Sequence, residues 1–301
     1  MPKITALSAR PPVVLVHGGA GGCSADAAWR TARVDALEEV VNAAWRGLIA
    51  GQSAIESVTD AVKRLEDSEF FNAGVGARLQ SDGVCRLTAS LMDGSRHKFS
   101  AVLLATHIRH PSALAAALQG RAESVLGPAG AQLLARELGI SPELPVTPER
   151  AQEWAAHLAE GRQEASGGTV GAVVLDLAGH LAAATSTGGG GFNFPERVSD
   201  SGTVAGNYAS TWAAVSCTGI GEQIVDEGVA VRLETRVRDG MTIIEASNLC
   251  LDEALRRQRH YGWIGVDRHG NWGAYWTTED MLWVARSAEM DPCASGRLEL
   301  R

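Results

Sequence analysis

Apolar residues in the first part of the chain occur as one short run and then at helical spacing. Residues 13–17 (VVLVH) form an uninterrupted apolar run that ends at a cluster of glycines, which predicts a strand leading into a loop. Over residues 27–50 the apolar positions return every three or four residues, as an amphipathic helix requires. A second helix is predicted over residues 53–65, where Ser53 stands at the N-cap position and Glu56 follows at the spacing of a capping box.

Two strands and more helical segments are predicted beyond these helices. VCRLTASLM and FSAVLLATHI are joined through Asp93-Gly94, a dipeptide typical of tight turns, so they should pair as antiparallel neighbours. The remaining elements of this half are helices over residues 111–118 and 129–138 and a polar, proline-containing connector, residues 141–166, that is helical over 150–158.

Strands in the second half of the chain come in hairpins. TVGAVVLD and LAAATST flank a turn at residues 178–179, and a similar pattern recurs at residues 263–276. AAVSCTG is a further predicted strand, and helical spacing covers residues 220–238 and 242–257. The strands come in hairpins and the helices come in consecutive pairs, rather than as alternating strand–helix crossovers. This order predicts an α+β fold with antiparallel sheets covered by helices. We expect one shared core and a single domain over residues 1–301.

Composition narrows the classes of protein that fit. With 301 residues, 45% of them hydrophobic, the chain is long enough to bury a large core. A formal net charge of −8 offers no cationic surface for nucleic acid or anionic lipid, so neither is expected as a partner. The N-terminal residues fit neither a signal peptide nor a membrane span. Five scattered cysteines without a CxxC pair argue against a disulfide framework or a zinc site, and a cytoplasmic protein is predicted.

Thr169 is the residue with the strongest potential for chemistry. It follows Gly168 at the start of a predicted strand, just after the polar connector. If the chain breaks between these two residues, Thr169 carries both a hydroxyl and a free α-amine, whose pKa of about 8 suits a base for that hydroxyl. Gly168 leaves space around the carbonyl that the hydroxyl would attack. A threonine at a strand start is ordinary by itself, so its neighbours decide the interpretation.

The predicted hairpin brings a second hydroxyl near Thr169. A two-residue turn at residues 178–179 would place Thr187 opposite Val170, on the other face of the sheet from Thr169. For Thr187 to reach Thr169 the ladder must contain a bulge, for which glycines 188–191 provide room. Without that irregularity Thr187 is an ordinary strand residue.

Two later segments carry groups suited to a small zwitterion. Arg197 and Asp200 lie three residues apart and can hold the carboxylate and the ammonium of an α-amino acid, or form a local surface ion pair. Residues 217–222 (CTGIGE) end a strand and open a helix, where backbone N–H groups can stabilise an oxyanion or make a tight turn. His17, at the end of the first strand, is predicted to be structural.

Taken in order, these segments resemble the plant-type asparaginase and isoaspartyl peptidase family of N-terminal nucleophile hydrolases. The likeness covers nearly the whole chain and is carried by VLVHGGAGG, FFNAGVGA, LMDG, GGTVGAVVLD, the stretch from STGGGGF to RVSDS, SCTGIGE and GVDRHGN. It implies a four-layer αββα sandwich, an inactive precursor, and autoproteolysis into residues 1–168 and 169–301. It also implies hydrolysis of the β-amide of asparagine or of a β-aspartyl peptide by a homodimer of cleaved αβ units.

The resemblance assigns roles to individual residues. It makes Thr169 the nucleophile, Thr187 its hydroxyl partner and Asn72 a residue that lines the nucleophile. The substrate would be held by Arg197 at its α-carboxylate, by Asp200 at its α-ammonium, by Thr218 and Gly219 as the oxyanion hole, and by the backbones of Gly189 and Gly221.

No cofactor is implied for catalysis, but a structural sodium ion is. The resemblance places it on main-chain carbonyls, which suit a hard cation. The carbonyls are those of Leu65, Glu66, Ser68, Phe71, Ala73 and Val75.

Some positions depart from the family pattern, and other interpretations stay open. Thr88 stands where the family usually has Asp, and Phe192 and Phe194 follow the glycine run, which leaves the preferred substrate open. A nucleophile elbow around Thr169 would need a strand before it and a helix after it, and the order of elements opposes this. A dinucleotide-binding loop is disfavoured because the glycines after His17 do not follow GxGxxG. The remaining alternatives are a glycosylasparaginase-like amidase and a non-cleaving relative that binds amino acids or partners.

Overall fold

The central strands of the fold bury both of their faces. In the computed structural model, which describes residues 3–22, 26–160 and 168–294, Val13 and Leu15 of one strand pack between two sheets. Val14 and Val16 of the same strand pack against helices. Such alternation is what a strand at the centre of a layered sandwich requires. The prediction of an α+β sandwich, with two sheets flanked by helices, is therefore confirmed.

Two sheets form the middle layers. The strands are β1 (Lys3–Ser8), β2 (Val13–Gly21), β3 (Leu87–Asp93), β4 (Lys98–Ala105), β5 (Val125–Leu126), β6 (Val170–Leu175), β7 (Leu181–Thr187), β8 (Asn207–Ala209), β9 (Ala213–Gly219), β10 (Tyr261–Asp267), β11 (Asn271–Trp276), β12 (Asp280–Ser287) and β13 (Met290–Ala294). The larger sheet has the order β13-β12-β2-β6-β7-β3-β4-β5, and the smaller has the order β1-β11-β10-β9-β8. Neighbours are antiparallel except for the two-residue parallel pairing of β5 with β4. An apolar core that contains Trp272 and Trp283 joins the two sheets.

Helices form the two outer layers. They are α1 (Ala27–Ile49), α2 (Ala54–Glu66), α3 (Pro111–Ala117), α4 (Pro128–Glu137), α5 (Pro148–Glu160), α6 (Gly221–Glu227), α7 (Val229–Arg238) and α8 (Ile243–Arg256). Helices α1 to α4 pack on the larger sheet, and α6 to α8 pack on the smaller one. The capping box predicted at Ser53 and Glu56 starts α2. None of the helices in the described ranges is long and apolar enough to cross a membrane.

The β6–β7 hairpin corrects the predicted register by one residue. The ladder pairs Val170 with Ser186, so its continuation brings Thr187 opposite Thr169 rather than opposite Val170. The loop is longer than the expected two-residue turn because the Asp176 carboxylate accepts hydrogen bonds from two N–H groups within it. The two threonines therefore share one face of the sheet without the bulge that the sequence required.

Other boundaries also differ from the prediction. The helix expected over residues 220–238 is two helices, α6 and α7, because Gly228 between them adopts a left-handed conformation with a φ of +56°. Strand β2 continues through the glycines to Gly21 instead of ending at His17. The sequence pattern does not predict β1, β5, β8, β12 or β13.

Candidate active site

Thr169 lies immediately before β6, in the middle of the larger sheet, and is only 4% exposed. Its hydroxyl donates a hydrogen bond to the Thr187 hydroxyl, with the two oxygens 3.3 Å apart. Thr187 Oγ1 also accepts from the N–H of Gly189 at 3.0 Å. The sequence thus identified both hydroxyl groups that the structure brings together, although it placed them on opposite faces.

Ser201 is a third hydroxyl at this point, and the sequence did not indicate it. Its Oγ lies 3.4 Å from Thr169 Oγ1. Ser201 belongs to the 3-10 turn Asp200–Gly202, and its carbonyl accepts a hydrogen bond from the Ser90 hydroxyl at 2.6 Å. Ser201 could have been found from its position next to Asp200, because a turn that buries one polar residue also buries the residue beside it.

The opposite sheet contributes Thr218 and Gly219. The Thr218 hydroxyl donates to the carbonyl oxygen of Thr169 at 3.3 Å and accepts from the N–H of Ala20 at 3.2 Å. Gly219 has a φ of +130°, and a Cβ there would lie 2.5 Å from the Tyr261 Cα, so only glycine fits. The site therefore lies where β9 of the smaller sheet meets β2 and β6 of the larger sheet.

Asn72 fixes the glycine-rich loop that follows β7. Its side-chain amide donates to the Gly189 carbonyl, and its Oδ1 accepts from the N–H of Arg78 at 2.8 Å. Its own carbonyl accepts from the N–H of Gly188 at 3.0 Å. A Cβ on Gly168 would lie 3.0 Å from the Asn72 Cβ, so the asparagine also packs directly against the residue before Thr169.

The side chains of Arg197 and Asp200 both lie close to the Cα of Gly221. A Cβ built there would lie 2.6 Å from Asp200 Oδ1 and 3.0 Å from an Arg197 nitrogen. The Arg197 guanidinium forms a two-pronged ion pair with Glu222, at 2.7 and 2.6 Å. Asp200 instead accepts from the Ser199 hydroxyl at 2.6 Å. The two residues are therefore separate charged groups that face the same small space.

The Asp200 carboxylate is the most unusual acid at the site. It is 1% exposed, and its Oδ2 is buried without a hydrogen-bond partner among the described residues. Burial raises the pKa of Asp200 to about 6, although the Ser199 hydroxyl and the Arg197 charge act in the opposite direction. A Cβ on Gly206 would lie 2.4 Å from this Oδ2, so the oxygen that faces Gly221 is Oδ1.

One cleft collects most of the residues that the sequence singled out. It is lined by Gly168, Thr169, Thr187, Gly189, Arg197, Gly219 and Gly221, together with Ser199 and Glu222. A ligand that reaches the Thr169 hydroxyl can therefore contact the Arg197 guanidinium in the same cleft.

The loop predicted to hold sodium connects the C-terminal end of α2 to the 3-10 turn Gly74–Gly76. Two of its carbonyls pack closely against glycines: a Cβ on Gly74 would lie 2.1 Å from the Glu66 carbonyl oxygen, and one on Gly76 would lie 2.2 Å from that of Phe71. Carbonyls at a helix C-terminus carry partial negative charge, so this donor set fits a hard monovalent cation. No group of three His, Cys, Asp or Glu side chains in the described part of the chain is placed to bind a metal.

The Glu66 side chain points away from these carbonyls. Its carboxylate accepts from the hydroxyls of Ser112 at 2.6 Å and Ser186 at 2.7 Å. Burial raises the pKa of Glu66 to about 7. Within the loop, Glu66 therefore offers its main-chain oxygen while its side chain ties α2 to α3 and β7.

His17 and Thr88 occupy buried positions beside the site. His17 Nε2 lies 2.8 Å from the Ser216 hydroxyl, and burial lowers the pKa of His17 to about 3, so the ring is neutral. Thr88 pairs with Thr187 across β3 and β7, and its hydroxyl accepts from the N–H of Leu104 at 3.1 Å. Both side chains hold strands together around the site.

A family model described as asparaginase matches residues 10–293. The chain belongs to this asparaginase family. The resemblance found in the sequence is thereby confirmed, and because an asparaginase is a hydrolase, the family places the chain among hydrolases.

Relatives whose names state an activity extend this result. An isoaspartyl peptidase/L-asparaginase from Synechocystis sp. is 40% identical over 87% of this chain and 84% of that protein. An isoaspartyl peptidase from Salmonella typhimurium is 37% identical over 89% of this chain and 93% of that protein. A human isoaspartyl peptidase/L-asparaginase is 36% identical over 91% of this chain and 92% of that protein.

Proposed function

We propose that this chain is a self-processing amidohydrolase that cleaves the β-amide of asparagine or the isopeptide bond of β-aspartyl peptides. The observation that carries this proposal is the buried Thr169 hydroxyl, 3.3 Å from Thr187 Oγ1, in the same cleft as the Arg197 guanidinium. The names of the relatives from Synechocystis, Salmonella and human support the choice of substrate.

Maturation is the first step of the proposal. The Thr169 hydroxyl adds to the carbonyl carbon of Gly168, and the C–N bond breaks, which leaves an ester on Thr169 Oγ1 and a free α-amine on Thr169. Water then hydrolyses the ester, giving residues 1–168 with a new carboxylate and a second chain that begins at Thr169. Two features of Gly168 favour this attack. The residue has no side chain to crowd its carbonyl, and it packs against Asn72, which holds the carbonyl in position.

Turnover uses the amine that maturation creates. The α-amine removes the proton from its own hydroxyl, and the oxygen attacks the β-carbonyl carbon of the substrate. The Thr218 hydroxyl, turned from the Thr169 carbonyl to which it donates, and the N–H of Gly219 stabilise the resulting oxyanion. The protonated amine then gives its proton to the leaving nitrogen, and water hydrolyses the aspartyl ester to release aspartate and regenerate Thr169.

The α-amino-acid end of the substrate fits the two charged groups around Gly221. Arg197 holds a carboxylate in the two-pronged geometry that Glu222 now occupies. The Oδ1 of Asp200, which faces Gly221 and accepts from the Ser199 hydroxyl, receives the α-ammonium, so a buried anion gains a cationic partner. This pair of contacts selects a free α-amino acid end over an internal peptide segment.

The ion, assembly and compartment are parts of the same proposal. The carbonyls of Leu65, Glu66, Ser68, Phe71, Ala73 and Val75 would hold a structural sodium ion. The protein would act as a homodimer of cleaved units in the cytoplasm, where free thiols such as those of Cys85, Cys217 and Cys250 stay reduced. Size-exclusion chromatography tests the dimer, and thermal unfolding in sodium against choline salts tests the ion.

Intact mass spectrometry of the purified protein tests the central proposal. We expect two species, residues 1–168 and 169–301, and hydrolysis of both asparagine and β-aspartyl-leucine. Thr169→Ala should stay full-length and inactive, whereas Thr169→Ser should be cleaved more slowly. An intact, inert parent after long incubation would instead support a non-cleaving relative, and exclusive turnover of glycosylated asparagine would support a glycosylasparaginase-like amidase.

A further inference from the structure

A second cleft lies on the other side of Gly168 and is rich in arginine. It has a volume of about 220 Å³, opens to solvent, and is lined by Arg30, Arg33, Arg78 and Arg150. Gly168 lines both this cleft and the one that contains Thr169, and Asn72 also lines the arginine-rich cleft. We call the second cleft the arginine cleft. One residue therefore separates a strongly cationic space from the nucleophile.

Cations outnumber anions in the arginine cleft. Asp280, the one acidic residue among its described lining residues, is held by Arg30 through two hydrogen bonds of 2.9 and 3.1 Å. Arg78 and Arg150 both contact Glu153 on α5. Among the described lining residues, four guanidinium groups thus accompany one carboxylate, which favours a positive field in the cleft.

Arg33 is the arginine whose charge is least compensated. One of its terminal nitrogens donates to the Gly18 carbonyl at 3.0 Å, and its guanidinium lies 5.5 Å from the centre of the Phe71 ring. Its Nε is buried and has no hydrogen-bond partner among the described residues. Burial, together with the charges of Arg150 and Arg78, lowers the pKa of Arg33 to about 10. Arg33 is therefore still a cation at neutral pH, and an anion in the cleft would relieve its repulsion from the other arginines.

The reaction geometry directs the leaving group towards this cleft. The leaving nitrogen takes its proton from the α-amine of Thr169, so the two atoms must come within hydrogen-bond reach. In the uncleaved chain the Thr169 nitrogen is bonded to Gly168, and Gly168 borders the arginine cleft. Groups attached to the leaving nitrogen can therefore extend past the position of Gly168 into the arginine cleft.

We propose that the arginine cleft binds the α-carboxylate of the amino acid that leaves from a β-aspartyl peptide, with Arg33 as its principal partner. The inference rests on the proposed function and deepens it. Asparagine releases ammonia, which has no carboxylate, so the cleft contributes binding energy only for peptide substrates. It makes β-aspartyl dipeptides with a free C-terminus the preferred substrates of this chain.

Three substrates and one substitution test the proposal, with rates normalised to the concentration of cleaved chain. The substrates are asparagine, β-aspartyl-leucine, and β-aspartyl-leucine amide, whose leaving group has lost its negative charge. Arg33→Gln should lower kcat/KM for β-aspartyl-leucine by about tenfold or more and change kcat/KM for the other two less than about twofold. Arg33→Lys should recover part of the lost kcat/KM, because lysine keeps the positive charge but cannot form the two parallel hydrogen bonds of a guanidinium. Arg46→Gln removes an exposed arginine from the same helix and should change none of the three values.

The other outcomes separate the possible failures. An equal loss for all three substrates would show that Arg33 acts only through the fold, and unchanged values would show that the leaving group does not reach it. If the new carboxylate of Gly168 occupies the cleft instead, Arg33→Gln will leave the substrate ratios unchanged and will speed the trimming of residues 1–168 by carboxypeptidase. If Arg33→Gln does not fold, the parent protein alone tests the proposal. Its kcat/KM for β-aspartyl-leucine should exceed that for the amide by about tenfold, and equal values would refute the proposal. A parent that hydrolyses none of the three refutes the proposed function itself.

Discussion

Thr187 lies directly across the β6–β7 hairpin from Thr169, and the hydroxyl oxygens of the two residues are 3.3 Å apart. The pairing results from a turn that the Asp176 carboxylate closes from inside. The hydroxyl of Thr187 also accepts from the N–H of Gly189, which leaves its proton free to face other acceptors. Thr187 is thus held in place to share the proton of the proposed nucleophile, Thr169.

The hydroxyl of Thr187 should matter more to the reaction than its methyl group. We expect Thr187→Ala to slow both cleavage of the precursor and turnover by about tenfold or more, and Thr187→Ser to retain most of both rates. Thr185→Ala is the matched control, because its hydroxyl bonds Ser216 rather than Thr169. Equal effects of Thr187→Ala and Thr187→Ser would show that shape, not the hydroxyl, is required.

Arg197 should act on the substrate and not on maturation. Its guanidinium lies in the cleft but makes its ion pair with Glu222, so Arg197→Ala should leave the two fragments intact by mass spectrometry. The same variant should raise KM for asparagine by about 30-fold, equivalent to ~2 kcal/mol, through loss of a charge-assisted contact. Arg109→Ala, which removes an exposed surface ion pair with Asp67, should leave KM unchanged. Parallel loss of maturation and turnover would contradict the separation of roles.

The ionisation of Asp200 should appear in the pH dependence of KM. Because burial raises the pKa of Asp200 to about 6, the carboxylate that we propose to bind the α-ammonium is lost as the pH falls through that value. KM should therefore rise about tenfold per pH unit below 6. Ser199→Ala removes a hydrogen bond that favours the carboxylate, so the midpoint should move to higher pH. Ser95→Ala, which removes a hydroxyl bonded to Asp93, should leave the midpoint in place.

His17 should make the fold sensitive to acid. Its folded pKa of about 3 lies below its ordinary value of 6.5, so its stabilising contribution is present above about 6.5 and is lost as the pH falls. Between pH 6.5 and 5 this loss amounts to about 2 kcal/mol. His17→Gln can keep a hydrogen bond to Ser216 but does not titrate, so its free energy of unfolding should fall less over this range than that of the parent.

Urea unfolding of the parent and His17→Gln at both pH values checks this prediction. The two proteins must be compared with each other, because Glu66 and Asp200 also change the free energy of unfolding with pH. Their pKa values are raised in the folded state, so they stabilise the fold as the pH falls through about 7 and 6. Identical pH dependence in the two proteins would show that His17 does not stay neutral in the folded state.

Local patterns predicted the elements of the site better than its tertiary contacts. Residue type and spacing were enough to identify the apolar strand β6, the hydroxyls of Thr169 and Thr187, and Asp200. The register could not, because it depends on how Asp176 and the left-handed Gly179, with a φ of +81°, close the turn. Two-residue hairpin turns are common, so the pattern favoured the shorter loop.

Long-range contacts account for the rest of the difference. Glu222 competes for the Arg197 guanidinium, and Ser201 reaches Thr169 from 32 residues away. The arginine cleft gathers Arg33, Arg78 and Arg150 from three separate segments. No local periodicity carries such information, since these contacts form only when the helices and sheets pack.

The order of strands in the larger sheet determines what a cut after Gly168 does to the molecule. Strand β2 from the first fragment is paired on both sides with strands of the second, β12 and β6, and β3 is paired with β7. The fragments are interlaced, so a nicked molecule keeps its size on a native column and comes apart only in denaturant. Once unfolded, however, the two pieces must find each other by diffusion, so their recovery should depend on protein concentration, whereas the uncut chain refolds as one body. The proposed processing would thus change refolding from a reaction of one chain into an association of two.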